Sequence, residues 1–260
     1  MAENINSPGI NSLGRKIFFL YPSALVQNKI ITALAQEEYE VYVAKDETKL
    51  LVALKKYPDS IVMASVNEGM KDNAWETWLK NLMSDPSLSG VDIGIIVSSD
   101  DANLRRRFTE SLRIGCGYTV LKTDLVSVTK GLVEKLNSVN AKGRRKYIRA
   151  VIDKKTNTTA NLPMNGTFIN GVIKDISMVG FSCSFADDPQ LVKNTLYSEI
   201  QIRLQSQLLK AEGIVFGSRM EGASKNYVLL FTNHTSPDVQ AKIRVFIQNL
   251  LQSRMDIELK

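Results

Sequence analysis

Apolar and polar positions alternate in two different ways along the chain. Between residues 15 and 137, five short apolar runs are each followed by a segment with apolar residues at helical spacing. The runs are KIFFLY, YEVYVA, DSIVMAS, VDIGIIVSS and YTVLK. Continuous apolar strands that alternate with helices are typical of a parallel sheet covered on both faces. The pattern therefore predicts an α/β domain of five strand–helix repeats over residues 15–137.

The pattern changes after residues 138–146, which read as a basic linker. Six runs with a period of two residues follow, separated by turn clusters, and they predict a small antiparallel barrel or sandwich over 147–260. These runs are YIRAVID, GTFINGVIKDI, GFSCSF, SEIQIRL, LKAEGIVFG and YVLLF. The polar segment 153–167 is predicted to be a long loop. A C-terminal helix is predicted to begin at Ser236 and Pro237. Residues 1–14 are predicted to form a flexible leader.

The composition excludes several classes of site. Two cysteines and one histidine are too few for a disulfide framework, a zinc cage or a His-rich metal site. The N-terminus lacks the basic and then apolar pattern of an export signal, and no apolar stretch has the length of a membrane helix. We therefore expect a cytoplasmic protein with no membrane insertion, no metal and no cofactor.

The net charge of +6 arises from the second half of the chain. Residues 142–155 alone carry seven lysines and arginines against one aspartate. Such a cluster raises the local concentration of anionic partners. On its own, it is compatible with a solvated linker, a nucleic-acid track, an anionic lipid contact or a site for a phosphorylated ligand.

Two short motifs accompany this charge. The first is Arg145-x-x-x-Arg149, and the second is Asp175-x-Ser177-x-x-Gly180. In an extended segment, each pair of side chains would share one face. Arginine pairs with phosphate oxygens or with guanine O6 and N7, and a carboxylate can accept the N1 and N2 donors of guanine. Glycine suits a positive φ or a close approach by the ligand. Together the motifs describe a guanine nucleotide with more than one phosphate.

The two motifs, in this order and on these strands, resemble the PilZ domain, a six-stranded barrel that binds cyclic di-GMP. The resemblance covers residues 141–251, including the C-terminal helix. It implies that Arg145 and Arg149 grip guanine and phosphate, while Asp175 and Ser177 hold the other side, with Gly180 in the turn. Arg144 is a further candidate contact.

The N-terminal domain resembles a response-regulator receiver, a flavodoxin-like fold. In the receiver, an acidic pair follows the first strand and a phosphoacceptor aspartate ends the third. Here the corresponding positions are Tyr21, Pro22 and a position near Ala64. Ser98 and Lys122 match the hydroxyl and lysine positions. The resemblance therefore implies a degenerate receiver, without a magnesium site or a phosphoacceptor, that offers an interaction or dimerisation surface.

The sequence thus predicts a bacterial cyclic di-GMP receptor and not an enzyme. Ligand binding at the basic junction would change the arrangement of the two domains and the binding of a downstream protein through the N-terminal domain. The family resemblance makes motility the expected output. Two alternatives remain: a nucleic-acid-binding protein that uses the basic junction, and a scaffold that binds no ligand.

Overall fold

The computed structural model describes residues 14–112, 114–122, 124–153, 156–222 and 224–259. Residues 1–13 of the predicted leader lie outside this range. The chain forms two compact units, which divide between Lys146 and Tyr147 and again between Leu251 and Gln252. Within the described residues, no helix is both long enough and apolar enough to span a membrane.

The first unit contains a five-stranded parallel sheet with the strand order β2-β1-β3-β4-β5. This is the order of flavodoxin-like folds, so the predicted fold of this domain is confirmed. Every residue of β3 is buried, as expected for a central strand covered on both faces. The strands are β1 (Lys16–Leu20), β2 (Val41–Ala44), β3 (Ser60–Ser65), β4 (Asp92–Val97) and β5 (Gly117–Val120).

Helices follow each strand of this sheet. A π-wound segment, Val26–Ile31, continues as α1 (Thr32–Gln36), and the other helices are α2 (Glu47–Lys56), α3 (Asp72–Ser84), α4 (Ala102–Ser111) and α5 (Leu125–Ser138). Three of these helices begin after an aspartate whose side chain accepts hydrogen bonds from backbone N–H groups of the first turn. These N-cap residues are Asp46, Asp101 and Asp124. Such caps satisfy donors that have no partner inside the helix.

The second unit contains a closed antiparallel barrel. Its ring order is β8-β7-β10-β11-β12-β9, and pairing of β9 with β8 closes it. The six-stranded barrel with a C-terminal helix is thus confirmed. The short strand β6 (Arg149–Val151) pairs with the end of β8 outside the ring. The remaining elements are β7 (Thr158–Met164), β8 (Thr167–Ser177), β9 (Gly180–Phe185), β10 (Leu196–Leu204), β11 (Gln207–Glu221), β12 (Ser224–Phe231) and α6 (Pro237–Glu258), which belongs to this unit as far as Leu251.

The first two strands of the second unit differ from the prediction, because β6 lies outside the ring and β7 was not predicted. The long loop predicted over 153–167 is wrong, because β7 occupies its second half and is a full member of the ring. Thr158, Ala160 and Leu162 of β7 are buried. Two of these three side chains are small, so the period-2 pattern is weak in apolar content. Asn165 and Gly166 both have positive φ and form the two-residue turn into β8.

Candidate ligand-binding site on the barrel

The Asp175-x-Ser177-x-x-Gly180 motif forms a tight hairpin between β8 and β9. Ser177 pairs with Gly180 in the ladder, which leaves Met178 and Val179 at the tip. The Ser177 hydroxyl donates to the Gly180 carbonyl at 3.2 Å, and only 4% of the residue is exposed. The backbone N–H of Phe231 donates to the Val179 carbonyl at 2.9 Å. The Ser177 side chain therefore holds the turn together and is turned away from solvent.

Gly180 lies where the backbone of a neighbouring strand passes very close. A Cβ atom at this position would stand 2.1 Å from the Leu229 carbonyl oxygen and 3.0 Å from the Leu230 Cα. Leu229 and Leu230 belong to β12, which pairs with β9. The sequence left open whether a turn or a ligand required this glycine. In the structure, the close approach is made by β12 itself.

A β-bulge determines the direction in which Asp175 points. The register between β8 and β9 shifts between Ile173 and Asp175, which leaves Lys174 as the extra residue. Because of this shift, Ile173 and Ile176 both belong to the barrel core although they are three residues apart. Bulges re-aim side chains in this way. Asp175 consequently projects from the outer face, next to strand β6.

Strand β6 brings Arg149 to the same outer face. In the register between β6 and β8, Arg149 pairs with Ser177 and Val151 with Asp175, so Arg149 is diagonal to Asp175. The Arg149 Nε lies 3.4 Å from the Asp175 Oδ1, and the side chains are 42% and 13% exposed. The carboxylate is therefore largely shielded from water, while the guanidinium remains accessible.

Ser182 fixes the other oxygen of the carboxylate. Its hydroxyl donates to the Asp175 Oδ2 at 2.5 Å, and only 2% of Ser182 is exposed. Ser182 lies outside the two sequence motifs. The sequence could have predicted its position, because a two-residue hairpin that pairs Ser177 with Gly180 also pairs Asp175 with Ser182. The ion pair with Arg149 and the hydrogen bond from Ser182 hold the carboxylate in one orientation.

The two remaining candidates precede the barrel. Arg144 and Arg145 are exposed and lie in an irregular segment. The extended geometry expected for positions 145–149 is wrong, because the chain bends at Lys146 and Tyr147 and the strand begins only at Arg149. The structure thus brings Arg149 together with the Asp175 hairpin, whereas the part of Arg144 and Arg145 in the site stays a prediction.

In the first unit, the receiver-like positions carry no carboxylate. The Tyr21 hydroxyl donates to Glu47, and Ala64 is buried in β3. The backbone N–H and the hydroxyl of Ser98 donate to the Asn67 side-chain oxygen, at 2.7 and 3.2 Å. Lys122 follows β5 and is exposed. Among the described residues, no three His, Cys, Asp or Glu side chains cluster as a metal site requires.

Comparisons with known proteins give likenesses in structure only. No family model matches the chain, and no curated protein matches its sequence. The PilZ domain of YcgR from Escherichia coli with c-di-GMP is similar at 16% identity and a TM-score of 0.37, covering 44% of this chain and 95% of that one. The MrkH–c-di-GMP complex from K. pneumonia is similar at 17% identity and a TM-score of 0.39, covering 45% of this chain and 57% of that one.

The Mn(2+)-bound response regulator Rcp1 is similar at 14% identity and a TM-score of 0.38, covering 47% of this chain and 92% of that one. The match to MrkH covers little more than half of the MrkH chain. At these levels of identity and TM-score, the likenesses do not indicate a function for this chain.

Proposed function

We propose that this protein is a cytoplasmic receptor for cyclic di-GMP and has no enzymatic activity. One observation carries the proposal: Arg149 and Asp175 meet on the outer face of the barrel, beside the hairpin that the resemblance assigns to the ligand. An accessible guanidinium beside a fixed carboxylate is complementary to guanine, which has acceptors on one edge and donors on another.

In the free protein, the Asp175 carboxylate already has partners, one of which guanine would replace. Asp175 is paired with Arg149 and Ser182, so its charge is compensated without ligand. When guanine binds, its N1 and N2 donors replace the Arg149 contact at the carboxylate. Arg149 then turns to O6, N7 or a phosphate. Because the ion pair is exchanged and not simply broken, no buried charge is left without a partner.

Arg144 and Arg145 supply the remaining positive charge in the proposal. They precede the barrel by a few residues, whereas Arg149 begins β6. A ligand that contacts all three arginines restricts residues 144–149 and thereby favours one arrangement of the two units. A ligand shifts such an equilibrium only if its affinity for the two arrangements differs, and these arginines provide the difference.

Small-angle scattering of the full chain tests this coupling. We expect the curve to change when saturating cyclic di-GMP is added, because the ligand restricts the segment between the units. The Arg145→Ala/Arg149→Ala variant, in which no measurable binding is expected, serves as the control at the same ligand concentration. Identical curves with and without ligand, at a concentration where binding is complete, would contradict the coupling but not the binding.

Titration calorimetry tests the proposed function itself. We expect saturable heat from cyclic di-GMP, and at least about tenfold weaker binding of cyclic di-AMP, because adenine lacks the donor pattern that Asp175 reads. A single-stranded oligonucleotide is the second comparison. Salt-sensitive binding of the oligonucleotide without guanine preference would instead favour the nucleic-acid alternative. No heat from any of the three would favour the scaffold.

Asp175→Asn isolates the reading of guanine. The amide keeps the shape of the carboxylate but presents a donor to the N1 and N2 donors of the base. We expect affinity for cyclic di-GMP to fall about tenfold or more, since bonds to charged groups contribute about 1.5–3 kcal/mol. Asp238→Asn is the matched control, because Asp238 is exposed on α6 and pairs only with Lys242 among the described residues. If calorimetry showed that Asp175→Asn binds cyclic di-GMP with wild-type affinity, Asp175 would not be a ligand contact.

The proposed output is control of motility through a protein partner of the first unit. This part of the proposal rests on the resemblance to PilZ receptors. Replacing the chromosomal copy in the host bacterium with the Arg145→Ala/Arg149→Ala variant should alter motility as a deletion does. Wild-type motility of that strain, with the deletion strain impaired, would separate the output from ligand binding.

A further inference from the structure

The first unit has a cavity at the carboxyl ends of its parallel strands. Its volume is about 330 Å³, and it is lined by residues that follow β1, β3, β4 and β5. The chain proceeds from β1 to β2 at one edge and then returns to β3 on the other side of β1. Ligands of open α/β sheets bind in the crevice outside the strand ends, at such a switch point. The polar lining residues used below are Ser65, Asn67, Glu68, Ser98 and Lys122.

A buried hydroxyl in the lining has no hydrogen-bond partner. Ser65 ends β3 and is 4% exposed, and its Oγ has no partner among the described residues. Buried polar groups in native proteins are nearly always paired, and an unpaired one calls for an explanation. Here the unpaired hydroxyl belongs to a residue that borders a cavity at a switch point, and a ligand would supply the missing partner.

The other polar groups of the cavity present donors. Ser98 donates both its N–H and its hydroxyl to the Asn67 Oδ1, so the Asn67 amide group is oriented by its oxygen and its NH₂ is left to donate elsewhere. Lys122 is exposed and forms no ion pair within the described part of the chain. Glu68 contributes the one carboxylate of the lining. The Glu68 backbone carbonyl accepts a hydrogen bond from the Trp75 Nε1–H at 3.0 Å, and the Glu68 side chain is exposed.

We propose that this cavity binds a small organic anion, a phosphate or carboxylate group on a short carbon chain. Lys122 would supply the opposite charge, and Ser65 and Asn67 the hydrogen bonds. Val26 and Ile96, both buried, line the apolar part and suit the carbon chain. The proposed binding is non-covalent and uses only the charge of Lys122 and the hydrogen-bonding groups of Ser65 and Asn67. This site lies in the first unit, whereas the proposed cyclic di-GMP site lies on the barrel of the second unit.

Calorimetry of the full-length chain with three anions tests the proposal. The probes are glycerol 3-phosphate, butyrate and inorganic phosphate, with glycerol as the uncharged control. We expect saturable binding of glycerol 3-phosphate or butyrate with a dissociation constant below about 1 mM. Whichever organic anion binds identifies the head group. Binding of inorganic phosphate alone, or of none of the three, would overturn the proposal.

Two variants locate the binding. Lys122→Gln should weaken it at least about tenfold and Ser65→Ala about fivefold, since each removes one donor. Lys130→Gln, an exposed lysine on α5, is the matched control and should bind like wild type. Ser65→Ala should fold normally, because it removes an unpaired hydroxyl, and an unchanged or higher melting temperature would confirm this. Wild-type affinity in both variants would refute the site. Cyclic di-GMP binding should be unchanged in both, which separates this test from that of the proposed function.

Discussion

Replacing both Arg145 and Arg149 with alanine is expected to abolish measurable binding of cyclic di-GMP. Each arginine that pairs bidentately with a base or a phosphate contributes about 1–3 kcal/mol, which corresponds to about 5- to 150-fold in affinity. Losing both would reduce affinity by the product of the two factors if the contributions are independent. Arg149→Ala has a further effect, because it leaves the shielded Asp175 carboxylate without its positive partner. Titration calorimetry of the single and double variants measures these losses.

Arg203→Ala provides the matched control for the loss of positive charge. Arg203 is exposed on β10, which is not adjacent to β8 in the barrel ring. This variant should bind cyclic di-GMP with wild-type affinity at the same salt concentration. Similar losses in the control and in Arg149→Ala would mean that net charge, and not the motif, determines binding. Binding that survives the double substitution would place the ligand elsewhere.

Gly180→Ala is expected to destabilise the barrel by roughly 3 kcal/mol, the upper part of the range for overpacked positions. The added methyl group would stand 2.1 Å from the Leu229 carbonyl oxygen, which belongs to backbone and cannot rotate away. The strand pairing of β9 with β12 must open to admit it. For a domain of about 100 residues, such a loss lowers the melting temperature by about 10 °C or more. Differential scanning calorimetry measures this shift.

Gly217→Ala serves as the control for this substitution. Gly217 lies in β11 of the same barrel, and a Cβ at its position would meet no atom within 4 Å. We expect its melting temperature to match the wild type closely. If Gly180→Ala were as stable as Gly217→Ala, the close approach of β12 would not be the reason for glycine in the hairpin. A large loss in both would point to backbone flexibility as the common cause.

The sequence was most informative where burial is continuous. All six residues of β3 are buried, and the run DSIVMAS could be identified from its composition alone. The two motifs could be located from the sequence, because their arginine, aspartate, serine and glycine residues recur at fixed spacing, whereas their part in ligand binding stays a prediction. The hairpin that contains Asp175, Ser177 and Gly180 lies between β8 and β9, as two alternating runs separated by a turn predict.

The errors occurred where the geometry depends on distant pairing. Strand β7 was missed, because Thr158 and Ala160 resemble loop residues until β8 and β10 pair with them. The extended segment expected before Arg149 is irregular, because β8 offers pairing only to Arg149–Val151. The bulge at Lys174 follows from the register of β8 with β9. Periodicity within one strand does not specify such a register.

A crystal structure of the full chain with cyclic di-GMP bears most directly on the central claim. The expected result is a guanine at the outer face of β8, with its N1 and N2 within about 3.2 Å of the Asp175 carboxylate and its O6 or N7, or a phosphate, on Arg149. In that structure Ser182 should still donate to Asp175. A ligand bound elsewhere, with the Arg149–Asp175 pair intact and no base beside it, would contradict the account.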